Sequence, residues 1–273
     1  SPYSHPGMED ANMDNDTTKK KRVLITGAAG TVGSAIRKHL KDRYELKLLF
    51  NRTIPEDLSP TDVVVSGDIV DFEAMREATE GVDAIVHLAL LNRRRSGTRA
   101  ELARHTIDGD IKSCYNIYEA ARMNGVDTVV FASTNHVTGL NEQDGIVSRP
   151  DLPVRPDGIY GAGKAFGEAL GRYYADRLGV RVLCLRIANF NGKDDPGRYY
   201  PEGGSRWLSP RDCAQLVWRC IEMRDVTFGI FYGVSLRGET KWDLTNAREI
   251  LGYEPVDNGA DPKWQSQYEE EKS

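Results

Sequence analysis

The stretch VLITGAAGTVG, residues Val23–Gly33, decides how this chain of 273 residues folds. Its first four residues, Val23–Thr26, have the composition of a buried strand, and the amphipathic segment that follows the stretch has the period of a helix. Between the two, Gly27, Gly30 and Gly33 leave the backbone without side chains where the chain must turn. We therefore predict a strand, a tight turn and a helix, in that order.

Short apolar runs and amphipathic segments continue to alternate downstream of this unit. The predicted strands are Val23–Thr26, Leu46–Phe50, Val63–Ser66, Ala84–Leu88, Val129–Ser133 and Val180–Ile187. The predicted helices are Val32–Lys41, Phe72–Thr79, Ala100–Asn124, Tyr160–Leu178 and Pro210–Glu222. Such alternation is typical of right-handed βαβ units, and it predicts an α/β fold with a doubly wound parallel sheet of the Rossmann type.

The pattern changes at both ends of the chain. Residues 1–18 are polar and show no periodicity, so we interpret them as a disordered tail, followed by an NAD(P)-binding Rossmann domain over residues 19–188. After about Asn189 the pattern loosens into loops, the segment Phe228–Ser235 and a last helix near Trp242–Leu251. We interpret residues 189–273 as a small substrate-binding lobe within the same structural body.

Composition and charge limit the classes of partner. No apolar run approaches the roughly 20 residues that span a bilayer. The net charge of −5 provides no basic surface for nucleic acid. The four cysteines, Cys114, Cys184, Cys213 and Cys220, lack the spacing of metal ligands, and we interpret them as buried free thiols in a reducing compartment. We therefore expect a soluble cytoplasmic protein that binds no membrane, no nucleic acid and no metal.

The glycine turn has the properties of a dinucleotide site. Missing side chains let a pyrophosphate approach the backbone, and the N-terminus of the following helix adds the positive end of its dipole. The predicted cofactor contacts are Gly27, Gly30, Thr31, Val32 and Gly33 at the turn, with Leu88, Ala89 and Ile187 near the ends of later strands.

The end of the second predicted strand bears on the choice between NAD and NADP. Asn51 and Arg52 lie about 20 residues beyond the turn, where an acidic residue would mark NAD. Asn51 lacks the carboxylate that repels a 2′-phosphate, and Arg52 could pair with one, which favours NADP. Alternatively, Arg52 stacks on the adenine or points to solvent. Asp68 and the Ile69 backbone could cover the adenine, with a capped loop as the alternative.

Two further motifs indicate the chemistry. Hydroxyl, amide and imidazole groups follow the fifth predicted strand, at the edge of the sheet where this architecture binds ligands. Tyr160 comes four residues before Lys164, so that phenol and ammonium lie on one helix face. The cation favours the phenolate and makes Tyr160 a usable base, while Lys164 grips the nicotinamide ribose. Alone, this spacing is common on solvated helices; after the glycine turn, it predicts hydride transfer from a carbinol.

Taken in order, the glycine turn, the Ser-Thr pair and Tyr-x-x-x-Lys resemble an extended short-chain dehydrogenase/reductase over about residues 22–258. Five segments are similar to the uronate dehydrogenase group and to related archaeal sugar 1-dehydrogenases: Phe131–His136, Arg155–Gly161, Lys164–Glu168, Arg186–Ile187 and Leu251–Pro255. This resemblance implies NAD(P)-dependent oxidation at C1 of a cyclic aldose, hexuronate or sugar phosphate to its lactone.

The same resemblance implies a role for individual residues. Thr134 takes the position of the catalytic hydroxyl, Tyr160 that of the base and Lys164 that of its partner. The implied sugar contacts are Ser133, Asn135, His136 and Asn189. For His136 alone, a structural or hydrogen-bonding role is the alternative. Asp110 stands where the family usually has Asn, which puts in doubt a water relay that needs an amide there.

The group that would bind a sugar anion is left open by the sequence. The arginine that fixes the distal carboxylate in uronate dehydrogenases has no clean counterpart, and Arg198 and Arg206 are both candidates. Arg95, in the basic loop Asn92–Gly97, is a third candidate. For this loop, a solvated surface or contact with the cofactor phosphates are the alternatives.

Two other functions are compatible with the same fold. An NDP-sugar epimerase or dehydratase with tightly bound NAD would need a nucleotide-diphosphate pocket in the C-terminal lobe, and that lobe is short. A non-catalytic NAD(P)-sensing protein often loses the catalytic pair, whereas Tyr160 and Lys164 are both present. Family resemblance and the long predicted helices are compatible with a homo-oligomer.

Overall fold

Seven strands make up the sheet of the computed structural model, which describes residues 19–90, 97–191, 193–196, 206–236, 241–265 and 269. The strands are β1 (Arg22–Thr26), β2 (Glu45–Phe50), β3 (Val63–Ser66), β4 (Ala84–His87), β5 (Thr128–Thr134), β6 (Arg181–Ile187) and β7 (Phe228–Gly233). They pair in parallel in the order β3-β2-β1-β4-β5-β6-β7. The direction of the order changes between β1 and β4, which places a ligand crevice at their carboxyl ends.

Helices cover both faces of the sheet. They are α1 (Thr31–Leu40), α2 (Phe72–Ala78), α3 (Arg99–Arg104), α4 (Lys112–Met123), α5 (Gly139–Gln143), α6 (Ile159–Leu178), α7 (Pro210–Glu222) and α8 (Thr245–Leu251). One core packs α1, α7 and α8 against the sheet, and the other packs α2, α4 and α6 against the opposite face. This arrangement confirms the predicted doubly wound fold of the Rossmann type.

The predicted helix Ala100–Asn124 is divided in the structure. Its middle part, His105–Ile111, has π-helical hydrogen bonds and separates α3 from α4. Thr106 in this part packs on α6 at Gly163, where an added Cβ would lie 2.4 Å from Thr106 Cγ2. The wider π turn thus coincides with a close contact to the helix that bears Tyr160.

The C-terminal part of the chain returns to the sheet. The segment predicted at Phe228–Ser235 contains β7, which pairs in parallel with β6. The last helix was predicted near Trp242–Leu251 but begins at Thr245, because Trp242 forms a β-bridge with Ser148 and cannot also be helical. Within the described ranges, none of the helices combines the length and apolarity that crossing a bilayer requires.

Candidate active site

The glycine turn between β1 and α1 packs against the end of β4. Gly27 has φ of 68°, and an added Cβ there would lie 2.8 Å from the Ala89 nitrogen. A Cβ at Gly33 would lie 2.4 Å from the Gly27 oxygen, so Gly33 lets α1 approach the turn. No side chain caps α1 at Gly30, and its first turn contains no acidic residue. The first N–H groups of α1 therefore fit the pyrophosphate of a dinucleotide.

Thr26, at the end of β1, fixes the neighbouring end of β4. Its Oγ1 accepts hydrogen bonds from the N–H groups of Leu88 at 3.1 Å and Ala89 at 3.2 Å, and it lies 2.7 Å from His87 Nδ1. His87 is buried, and burial together with the charge of Lys164 lowers the pKa of its imidazole to about 3. No sequence motif marked Thr26 or His87 as a site residue.

A cleft of about 390 Å³ opens at the carboxyl ends of β1, β4, β5 and β6. The predicted residues that line it are Gly27, Gly30, Thr31, Val32, Leu88, Ala89, Ser133, Thr134, Asn135, His136, Tyr160, Lys164, Ile187 and Asn189. It is also lined by Leu90, Ala132, Ala188, Phe190 and Asn191, which were not predicted, although each is a chain neighbour of a predicted residue or follows one closely. Nowhere in the described ranges do three His, Cys, Asp or Glu side chains gather as metal ligands.

A second cavity of about 70 Å³ lies beside the ends of β2 and β3. Asn51, Asp68 and Ile69 line it together, at the position predicted for the adenosine. Asp68 Oδ1 also accepts a hydrogen bond from the Val70 N–H at 3.1 Å, so the predicted alternative of a capped loop exists beside the cavity. Arg52 is exposed and, like Gly33, lines neither of these two cavities.

Lys164 is held in place on the first turns of α6. Lys164 is 4% exposed, and its Nζ donates a hydrogen bond to the Ala132 carbonyl oxygen at 2.7 Å. The same Nζ lies 5.8 Å from the centre of the Tyr160 ring. At the end of β5, Thr134 Oγ1 accepts a hydrogen bond from the His136 backbone N–H at 3.2 Å. The hydroxyl, the phenol and the ammonium predicted for catalysis therefore meet at one cleft.

Ser133 borders the cleft but has a different hydrogen-bond partner from the sugar that the resemblance implies. Its hydroxyl donates to Glu168 Oε1 at 2.6 Å, and Ser133 is 3% exposed. Arg186 binds both oxygens of Glu168, through Nε and Nη2, at 2.8 Å each. The hydroxyl hydrogen of Ser133 is therefore committed to a buried ion pair below the cleft.

Asn135 and His136 each contact a carboxylate that sequence analysis did not assign. Asn135 Nδ2 donates to Glu142 Oε1 at 2.9 Å, and His136 Nδ1 lies 2.8 Å from Asp157 Oδ2. An added Cβ at Gly139 would lie 2.1 Å from Asp157 Oδ2, so this glycine makes room for the carboxylate. Asp157 lies within the segment Arg155–Gly161 that carried the resemblance, whereas no motif marked Glu142.

The chain beyond β6 brings one candidate arginine near Asn135 and Glu142. Asn189 N–H donates to the Arg206 carbonyl oxygen at 2.7 Å, which places Arg206 beside the end of β6. Arg206 Nη2 lies 3.8 Å from Glu142 Oε2. Arg95 and Arg198, the other predicted anion-binding residues, fall outside the described residues.

Comparison with known proteins places these features in a family. A family model described as "NAD dependent epimerase/dehydratase family" matches residues 23–209. An NAD-dependent glucose-6-phosphate dehydrogenase from Haloferax volcanii is 38% identical over 256 residues, covering 88% of this chain and 94% of the relative. A uronate dehydrogenase from Pseudomonas putida is 35% identical over 244 residues, covering 89% of this chain and 86% of the relative.

A solved structure agrees with these two relatives. The crystal structure of glucuronic acid dehydrogenase from Chromohalobacter salexigens superposes with a TM-score of 0.79 at 31% identity, covering 92% of this chain and 89% of that one. These matches confirm the resemblance to extended short-chain dehydrogenases/reductases and to sugar dehydrogenases. The chain therefore belongs to the NAD dependent epimerase/dehydratase family.

Proposed function

We propose that this protein is an NAD(P)-dependent sugar 1-dehydrogenase, which oxidises the C1 hydroxyl of a cyclic sugar to a lactone. One observation carries the proposal: Thr134, Tyr160 and Lys164 line the same cleft as the glycine turn. The relatives described above, whose names are those of sugar dehydrogenases, support the same reaction. Retention of both Tyr160 and Lys164 favours an enzyme over a non-catalytic sensor of the cofactor.

The residues of the cleft divide the reaction between them. Bound NAD(P)⁺ supplies the acceptor for the hydride that leaves C1. Thr134 Oγ1 accepts the His136 N–H, so its own hydrogen is directed to the C1 oxygen of the sugar. Tyr160 removes the proton from that oxygen as the lactone carbonyl forms. Lys164, held by the Ala132 carbonyl, places its positive charge 5.8 Å from the centre of the Tyr160 ring.

The proposed reaction is tested by an absorbance assay at the reduced-nicotinamide band. Purified protein is mixed with NAD or NADP and with neutral aldoses, hexuronates or sugar 6-phosphates. We expect steady reduction of the cofactor with one class of sugar. An acid extract of the protein is analysed for nicotinamide in parallel. Bound cofactor without turnover of any sugar would contradict the proposal and favour the epimerase or sensor function.

We also infer that NADP is preferred to NAD. Asn51 lines the cavity at the end of β2 and brings no carboxylate to repel a 2′-phosphate, and the exposed Arg52 follows it. We expect Asn51→Asp to lower the NADP/NAD ratio of kcat/KM. Thr53→Asp is the matched control, because it adds the same charge at an exposed position outside the cavity. An unchanged ratio in Asn51→Asp would contradict the inferred position of the ribose.

Three finer features of the enzyme are inferred with it. Arg206 is the described candidate for binding an anionic group of the sugar, since it lies beside Asn189 at the end of β6. The cytoplasm is the inferred compartment, because all four cysteines are free and buried. Exposed apolar side chains on the π segment His105–Ile111, α4 and α6 support a homo-oligomer; they are Ile107, Tyr115, Phe166 and Tyr173. Light scattering measures the oligomeric state.

A further inference from the structure

A buried carboxylate lies directly behind the substrate side of the cleft. The side chain of Glu142, on α5, is 6% exposed and does not line the cleft. Its Oε1 receives two groups, Asn135 Nδ2 at 2.9 Å and Trp242 Nε1 at 3.0 Å. Its Oε2 faces Arg206 Nη2 at 3.8 Å, which supplies a countercharge. Burying an ionised carboxylate is costly without such partners, so this cluster requires an explanation.

The two contacts at Oε1 decide which way the Asn135 amide is turned. The oxygen and nitrogen of an amide are similar in shape, and only their partners tell them apart. The Trp242 indole N–H can only donate, so Glu142 Oε1 is an acceptor. The group of Asn135 that meets the same oxygen must then be the donating NH₂ and not the carbonyl.

The other end of that amide is left for the cleft. Among the residues that the structure describes, none donates a hydrogen bond to Asn135 Oδ1. Asn135 lines the cleft beside Thr134, His136 and Tyr160. A carbonyl oxygen at this position accepts a hydrogen bond and cannot give one, so it recognises a hydroxyl group on the bound molecule.

We propose that Glu142 is a positioning residue, which holds the Asn135 amide so that its oxygen selects a sugar by one ring hydroxyl. The selection of a sugar rests on the proposed function, whereas the orientation of the amide does not. If a ligand carried an acceptor in place of that hydroxyl, two acceptors would face each other with no hydrogen between them. Such a ligand would be rejected.

The first measurement tests the orientation without any substrate. The side-chain amide pair of Asn135 is assigned in a ¹⁵N–¹H spectrum by its loss in Asn135→Ser. We expect slow hydrogen exchange of one Nδ2 proton in the wild type and in Glu142→Gln, because a glutamine oxygen can still accept from Asn135 and Trp242. We expect the protection to disappear in Glu142→Met. Equal exchange in all three proteins would overturn the positioning role.

The second measurement tests the selection with deoxy and deoxyfluoro analogues of the sugar that the wild type oxidises. Fluorine can accept a hydrogen bond but cannot donate one. We expect one ring position at which both analogues lose about tenfold to a hundredfold in kcat/KM. In Glu142→Met, the ratio of kcat/KM for the parent sugar to kcat/KM for the analogue should fall to near one. In Glu142→Gln, this ratio should be as high as in the wild type. The proposal would be overturned if, at every ring position, the fluoro analogue were used as well as the parent sugar.

Controls separate positioning from loss of structure. Trp242→Phe removes the other donor to Glu142 Oε1 but leaves the Asn135 contact, so it should keep the sugar discrimination. Melting temperature and NAD(P)H affinity are measured for every variant. If no sugar is oxidised, the proposed function and the selection fail together, while the exchange of the Asn135 amide still decides whether Glu142 orients it.

Discussion

Lys164 shows how one side chain in this molecule serves several neighbours. Its Nζ donates to the Ala132 carbonyl oxygen, lies 4.9 Å from the centre of the Phe131 ring and 5.8 Å from that of Tyr160. Its charge also contributes to the lowered pKa of His87, after burial itself. The carbonyl oxygen and the aromatic faces compensate the charge of the buried ammonium.

Removal of the Tyr160 hydroxyl tests the base directly. We expect Tyr160→Phe to lower kcat by at least ~10², because the variant lacks a group that can take the C1 proton. The dissociation constant of NAD(P)H should change little. Tyr173→Phe is the matched control, since Tyr173 is 52% exposed on the same helix. Near-normal turnover in Tyr160→Phe would remove this residue from the mechanism.

His87 makes the stability of the fold depend on pH. Its folded pKa of about 3 lies below the ordinary 6.5, so below pH 6.5 the unfolded chain binds a proton that the folded chain excludes. This contribution to stability is complete above pH 6.5 and is lost as pH falls towards 3, by up to about 1.4 kcal/mol per pH unit. We expect His87→Asn to flatten that slope in urea unfolding between pH 7 and pH 5. An unchanged slope in His87→Asn would contradict this origin of the pH dependence.

Among the elements, α6 is the one that determines the geometry of the cleft. Three of its glycines, each four residues from the next, face close neighbours. An added Cβ would lie 2.4 Å from Thr106 Cγ2 at Gly163, 2.4 Å from Phe131 Cζ at Gly167 and 2.7 Å from Val182 Cγ1 at Gly171. The helix axis therefore comes close to the π segment, β5 and β6, and the first turns of α6 place Tyr160 and Lys164 in the lining of the cleft.

Substitution of Gly167 tests this close approach. We expect Gly167→Ala to lower the free energy of unfolding by about 1–2 kcal/mol, because overpacking against the buried Phe131 exceeds the gain in helix propensity. The measurement is urea unfolding. Ala169→Gly, at an exposed position of α6, measures the helix-propensity contribution alone. A Gly167→Ala variant that is more stable than the wild type would contradict the packing argument.

Local patterns predicted most elements well, and tertiary contacts explain the differences. Val63–Ser66 and Pro210–Glu222 have the predicted bounds, since an apolar run and a helix with serine cap and N-terminal proline are local signals. The π segment His105–Ile111 packs against α6, and no local pattern reveals that contact. In the site, strand-end residues followed from the topology, whereas Glu142 lies on the short α5, whose position depends on contacts with distant parts of the chain.

At the scale of the whole molecule, one buried ion pair connects the layers around the cleft. Glu168 on α6 accepts hydrogen bonds from the Arg186 guanidinium of β6 and from the Ser133 hydroxyl of β5. Arg186 Nη1 donates to the Tyr232 hydroxyl of β7 at 3.0 Å, and that hydroxyl lies 2.5 Å from Thr138 Oγ1. Every member of this network is at most 3% exposed. The network therefore joins three neighbouring strands, α6 and the turn that bears His136.

Breaking the buried Arg186–Glu168 pair should lower the free energy of unfolding far more than breaking an exposed ion pair on α6. Arg186→Met leaves the Glu168 carboxylate buried without its partner, so we expect a loss of about 3–5 kcal/mol in the free energy of unfolding. The double variant Arg186→Met with Glu168→Met should lose less than the sum of the two single variants, because no charge remains buried.

Arg172→Met is the control: its pair with Asp176 is exposed, and we expect a loss below about 1 kcal/mol. Urea unfolding of the four proteins beside the wild type gives all of these values. Losses in Arg186→Met as small as in Arg172→Met would show that the network does not hold the layers together.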